Sequence, residues 1–156
     1  MKKILIVAAA SVIVSATPAL ANTANTTIYA QVAPVCTISA PGTTAINLSG
    51  TTAVGDVTAQ CNNAAGFTGS VSSLHNGHLA DQNGVSATQY PYTLTLGGFG
   101  AVPLNGTTSI NSAQLGGNAA LINATTFAMS VNVAAPNGPA YAGTYQDTIS
   151  FTLTAN

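Results

Sequence analysis

The chain has 156 residues, 3% of them charged, and its only cationic side chains besides two histidines are Lys2 and Lys3. It therefore lacks the phosphate-neutralising Lys and Arg of nucleic-acid binders and the basic residue that phosphate-binding sites require. A hydrophobic content of 47% with positive mean hydropathy also excludes an intrinsically disordered chain.

Residues 1–21 read as a secretory signal peptide. Lys2 and Lys3 form a basic n-region and Ile4 to Val14 an apolar h-region. Ala19-Leu20-Ala21 is a small-x-small cleavage motif, so cleavage is expected between Ala21 and Asn22. The apolar run is shorter than the ~20 residues that span a membrane, and no second candidate follows, so no membrane insertion of the mature chain is expected. Export to an oxidising compartment gives the two cysteines, Cys36 and Cys61, a default reading as one disulfide, with two buried free thiols as the alternative. Such a bridge would contribute roughly 3–4 kcal/mol by restricting the unfolded chain.

From Asn22 to Val35 a polar-looking segment hides a period of two. Ala24, Thr26, Ile28, Ala30 and Val32 share one face; Thr23, Asn25, Thr27, Tyr29 and Gln31 share the other. Weak strands are expected at 35–39, 57–61 and 67–74, and a clear one at 92–96. Phe127, Met129, Val131 and Val133 alternate with polar or small residues, giving another. Residues 105–123 read as loop plus a weak strand. The longest alternation closes the chain: Tyr145, Asp147, Ile149, Phe151 and Leu153 against Gln146, Thr148, Ser150, Thr152 and Thr154. Asn-Gly and Gly-Gly dipeptides, including Asn76-Gly77, Asn83-Gly84, Gly97-Gly98, Asn105-Gly106 and Asn137-Gly138, punctuate the strands. Short alternating strands between such turns predict a β-sandwich. Because the chain ends on a core-like strand, that strand is expected to leave an edge or groove without a neighbour.

The residues with chemical potential are few. His75-x-x-His78-x-x-Asp81 has metal-ligand residue types, but it sits on a turn rather than one helix face, so a solvated loop is expected and no metal. There is no GxSxG motif, and Asp56, Asp81 and Asp147 carry no glycosidase signature. No catalytic residue and no cofactor are expected; the chain does not read as an enzyme.

Two stretches carry a family resemblance. Ala142-Gly143-Thr144-Tyr145-Gln146-Asp147-Thr148-Ile149-Ser150-Phe151-Thr152-Leu153 resembles the closing motif of spore coat protein U domains, the subunits of archaic chaperone–usher pili. Ile28 to Ile38, running through Pro34 into Cys36, is similar to their N-terminal segment. The resemblance covers both ends of the mature domain; residues 63–124 match only in composition and turn density. The terminal Thr154-Ala155-Asn156 departs from the family, whose members often carry an aromatic there.

The resemblance implies an all-β, incomplete immunoglobulin-like β-sandwich lacking its last strand, which a donor strand from a partner completes. It divides the chain into the signal peptide (1–21), a donor-strand extension (22–34) and a pilin domain (35–156). Thr26, Ile28, Ala30 and Val32 would be the inserted face of the donor strand. Ile149, Phe151 and Leu153 would contribute to the acceptor groove, and Cys36–Cys61 would join the first two strands. The implied partners are a periplasmic chaperone, an outer-membrane usher and identical or related subunits joined head to tail. The implied location is the bacterial surface, with a role in adhesion and biofilm formation. The alternative is a monomeric secreted β-sandwich that binds, for instance, carbohydrate through Tyr90 and Tyr92, its N-terminal strand folded back on itself.

Overall fold

The computed structural model describes residues 23–156; the expected signal peptide and its Ala21–Asn22 cleavage site lie outside them. Backbone contacts divide the chain at Gln31/Val32. Residues 23–31 have no helix or strand, and each of their side chains is exposed.

From Val32 onward the chain is an antiparallel β-sandwich of ten strands. These are β1 (Cys36–Ser39), β2 (Gly50–Cys61), β3 (Phe67–Ser73), β4 (His78–Asp81), β5 (Gln89–Leu96), β6 (Gly100–Val102), β7 (Thr108–Asn111), β8 (Thr125–Val133), β9 (Tyr145–Gln146) and β10 (Ile149–Ala155). The larger sheet runs β1-β2-β8-β5-β4-β9, with β6 also on β5; the smaller runs β10-β3-β7. A single 3-10 turn, Ser112–Leu115, follows β7 and is capped by the Asn111 side chain.

The core lies between the sheets, and period two selects it. On β8, Phe127, Met129, Val131 and Val133 are buried and Ala128 and Asn132 exposed. β5 buries Tyr90, Tyr92, Leu94 and Leu96 by the same rule. That burial removes Tyr90 and Tyr92, 4% and 8% exposed, as a carbohydrate-stacking surface.

Three sequence expectations change. The closing ten-residue alternation is two strands, because the chain crosses between sheets at Asp147-Thr148: β9 pairs with β4 and β10 with β3. β2 begins seven residues earlier than the apolar pattern indicated. A bulge between Ala53 and Gly55 shifts the register, so no single alternation runs through it. Gly55 sits at φ 125°, and a Cβ there would lie 2.8 Å from Pro41 Cγ. Finally, β4 occupies a segment read as turn; its only buried residue is Leu79.

Candidate strand-acceptor groove

β10 and β8 have equivalent alternation but different fates. β8 lies between β2 and β5, and its inward Phe127, Met129, Val131 and Val133 are buried. β10 has a partner on one side only, so Ile149, Phe151, Leu153 and Ala155 stay half-buried. Its open side lies alongside β1, the edge strand of the other sheet. The sandwich is therefore unclosed between β1 and β10.

Register fixes what this opening offers. Leu74 N donates to Thr148 O (2.9 Å) and Asn156 N to Gly66 O (3.1 Å), so the even-numbered residues of β10 spend their backbone groups on β3. The odd-numbered residues, Ile149, Phe151, Leu153 and Ala155, turn their N–H and C=O outward along the free edge. On β1, Asn62 N donates to Val35 O, which by the same alternation leaves the backbone of Cys36 and Ile38 facing out. Ile38, Phe151 and Leu153, whose apolar side chains line the cavity behind the edge, thus also present unpaired backbone groups. Those groups are a template for an added strand.

Behind the edge, Ile38, Phe67, Val71, Ile110, Phe151 and Leu153 enclose about 30 Å³, room for water rather than a metabolite. Sequence reasoning named Ile149, Phe151 and Leu153 for this groove; all three lie on β10, which pairs with β3 alone, and Phe151 and Leu153 line the cavity whereas Ile149 does not. The same reasoning missed Ile38, Ile110 and Gly69, which long-range pairing brings to the same lining, and Leu115, which the 3-10 turn after β7 brings there. A glycine within the 67–74 strand pattern was the available signal for Gly69. A Cβ there would sit 2.9 Å from Thr152 O, so only glycine lets β3 and β10 approach as they do.

The segment expected to donate a strand is separately described. Ile28 is 92% exposed, and Thr26 and Ala30 are exposed with it. Val32, 84% exposed, precedes a tie to the sandwich: Val35 N donates to Asn62 Oδ1 (2.6 Å) and Asn62 Nδ2 to Ala33 O (3.2 Å). Cys36 and Cys61 form a disulfide between β1 and β2, with Cα atoms 4.1 Å apart across a pair whose backbone groups point away from each other.

At the other end of β10 a carboxylate organises the crossing. The Asp147 side chain is 2% exposed. It accepts hydrogen bonds from the Ser73 hydroxyl, Tyr92 Oη (2.6 Å), His75 N (3.0 Å) and Thr148 N (2.7 Å). Burial, then the bond to this carboxylate, pushes the Tyr92 phenol well above the ordinary tyrosine range. Ser, His and Asp meet here, but not as a nucleophilic relay: Ser73 Oγ donates to the carboxylate and accepts from Gly77 N. His75 Nδ1 lies 3.3 Å from Asp147 Oδ1. His78 Nδ1 instead faces the carbonyls of His75 and Asn76. Asp81 turns to the amides of Asn83, Val85 and Ser86, so the His75–His78–Asp81 constellation does not converge. Among the described residues no group of three metal-ligating side chains assembles, and no helix is long and apolar enough to cross a membrane.

No protein-family model and no curated protein matches the chain. Among solved structures, it is similar to the crystal structure of the CsuC–CsuE chaperone–tip adhesion subunit pre-assembly complex, from archaic chaperone–usher Csu pili of Acinetobacter baumannii. The identity is 18% and the TM-score 0.46, over 78% of this chain and 40% of that one. An overlap that partial adds nothing to the architecture, which stands on the strand order itself.

Proposed function

We propose that the chain is a structural pilin subunit of a surface fimbria, assembled by the chaperone–usher pathway through donor-strand exchange. The observation that carries this reading is the unpaired β10 edge, where backbone donors, acceptors and apolar side chains point into one opening beside β1. An added strand would pair with the backbone of Ile149, Phe151, Leu153 and Ala155 and cover their side chains. A periplasmic chaperone supplies that strand first, and the segment 22–34 of another copy then replaces it at the usher. Thr26, Ile28, Ala30 and Val32 form the inserted face. Ile28 is its bulkiest member, and full burial of such a side chain contributes about 1.5–3 kcal/mol.

Donation from one copy to the next is a head-to-tail contact that need not close, so it generates a fibre. The reaction is an exchange of non-covalent partners and uses no catalytic residue, metal or cofactor. Adhesion and biofilm formation follow from display of such fibres on the bacterial surface.

Ile28→Asp tests the assignment, because a carboxylate in the apolar groove is strongly unfavourable. In cells co-expressing chaperone and usher, the variant is expected to retain its chaperone complex and lose surface fibres and the SDS-resistant ladder. Fibres of normal length from Ile28→Asp would refute it. A stable monomer when the wild-type chain is purified alone would favour a self-complemented module instead.

A further inference from the structure

Away from the groove, the loops following β4 and β8 border a second, solvent-open hollow of about 660 Å³, within the size range of small-ligand sites. Thr88, just before β5, lines this hollow, whereas Leu96, at the end of β5, lines the groove. Eight residues of extended chain hold the two roughly 25 Å apart.

The hollow is built rather than left over. Thr88 Oγ1 donates to Pro139 O (2.8 Å), Gln89 N to Asn137 Oδ1 (2.8 Å) and Asn137 N to Gln89 O (3.0 Å), so the two loops are stitched together. Gln82 N donates to Thr144 O (2.8 Å), tying the residue after Asp81 to the chain just before β9. Tyr145 Oη donates to Tyr141 O (3.1 Å) while its ring meets Tyr90 edge-on at 4.7 Å, which fixes the backbone that presents Tyr141. Walls held this way have already lost the freedom a ligand would otherwise have to freeze.

Its lining specifies a ligand chemistry. Tyr141 and Val85, 59% and 88% exposed, offer apolar surface to solvent. Asp81 is an ionised acceptor with about four lone-pair sites. The amides of Ser86, Asn83 and Val85 use three and hold its carboxyl below the usual carboxylate range. The Asn137 side-chain amide nitrogen has no protein partner among the described residues, and the Ser86 hydroxyl accepts from Thr88 N with its own proton free. An acceptor, a donor and a hydroxyl beside an exposed aromatic ring match a molecule with many hydroxyls and apolar C–H faces. No Lys or Arg occurs after Lys3, so nothing rewards an anionic ligand, and Asp81 repels one.

We propose that this hollow binds a neutral oligosaccharide, stacked on Tyr141 and hydrogen-bonded by Asp81, Ser86 and Asn137. The site does not depend on strand exchange and remains open when the groove is filled. The test is titration of the intact exported chain with neutral oligomers of β-linked glucose, β-linked N-acetylglucosamine and α-linked mannose, alongside a sulfated oligomer. At least one neutral probe is expected to bind. Tyr141→Ala should weaken it at least about ten-fold while leaving the melting temperature unchanged. Val85→Glu, at the exposed rim, supplies a second blocking variant should Tyr141→Ala fold poorly, and Ile28→Asp should bind like wild type. Failure of all three neutral probes, tighter binding of the sulfated one, or indifference to both rim substitutions would overturn the proposal.

Discussion

Asp147 shows how a chain almost without cations keeps a carboxylate in its interior. Two of its donors, His75 N and Thr148 N, are backbone amides fixed by the fold; the other two, on Ser73 and Tyr92, are hydroxyls free to rotate. That difference separates two substitutions. Asp147→Asn can leave its carbonyl oxygen to the two amides while the hydroxyls turn to accept from the new NH2. Asp147→Ala strands all four donors. Hydrogen bonds to charged groups contribute about 1.5–3 kcal/mol, so Asp147→Ala should cost about 3 kcal/mol or more and Asp147→Asn about 1 kcal/mol. Denaturant unfolding of the two variants decides this; equal losses would mean that the donors do not depend on the carboxylate.

At the scale of the strand, legibility followed local burial. β5 and β8 were evident because both lie inside a sheet over the core, so side-chain polarity alternates with the pleat. β10 was equally evident from its alternation, whereas its one-sided pairing with β3 is a matter of topology. The crossing at Asp147-Thr148 was hidden because alternation continues unbroken through it; an aspartate at an inward position was the only local trace. β4 was hidden by its brevity. Ile38 and Ile110 reach the groove through pairings distant in sequence, and Leu115 through the turn after β7, which no local period encodes. Gly69 belongs to the same class, and it makes the element testable. Gly69→Ala forces a methyl to within 2.9 Å of Thr152 O, and backbone cannot yield as a flexible side chain does. Overpacking of this kind costs about 1–3 kcal/mol. The expected result is a lower unfolding midpoint, with amide exchange accelerating first in β10. A variant as stable as wild type would show that the two strands are not held at this spacing by the missing side chain.

For the molecule as a whole, scarcity of charge decides what can hold copies together. Asp56, Asp81 and Asp147 are its only carboxylate side chains, and the described residues contain no Lys or Arg. Asp147 is buried and Asp81 is engaged by amides, so an interface between copies of residues 23–156 can draw on few ion pairs. Backbone pairing along β10 and apolar contact in the groove remain, and neither is screened by salt. At about 1 M salt, exposed charges further apart than about 3 Å are largely screened, so assembly held by ion pairs would loosen there. Assembly held by strand addition should not, and sulfate should strengthen it because excluded salts favour apolar burial. Fibres sedimented from low salt and from about 1 M sodium chloride are therefore expected to contain the same fraction of subunits. Release of soluble subunits by sodium chloride, reversed on dilution, would show that charges outside this subunit carry the contact.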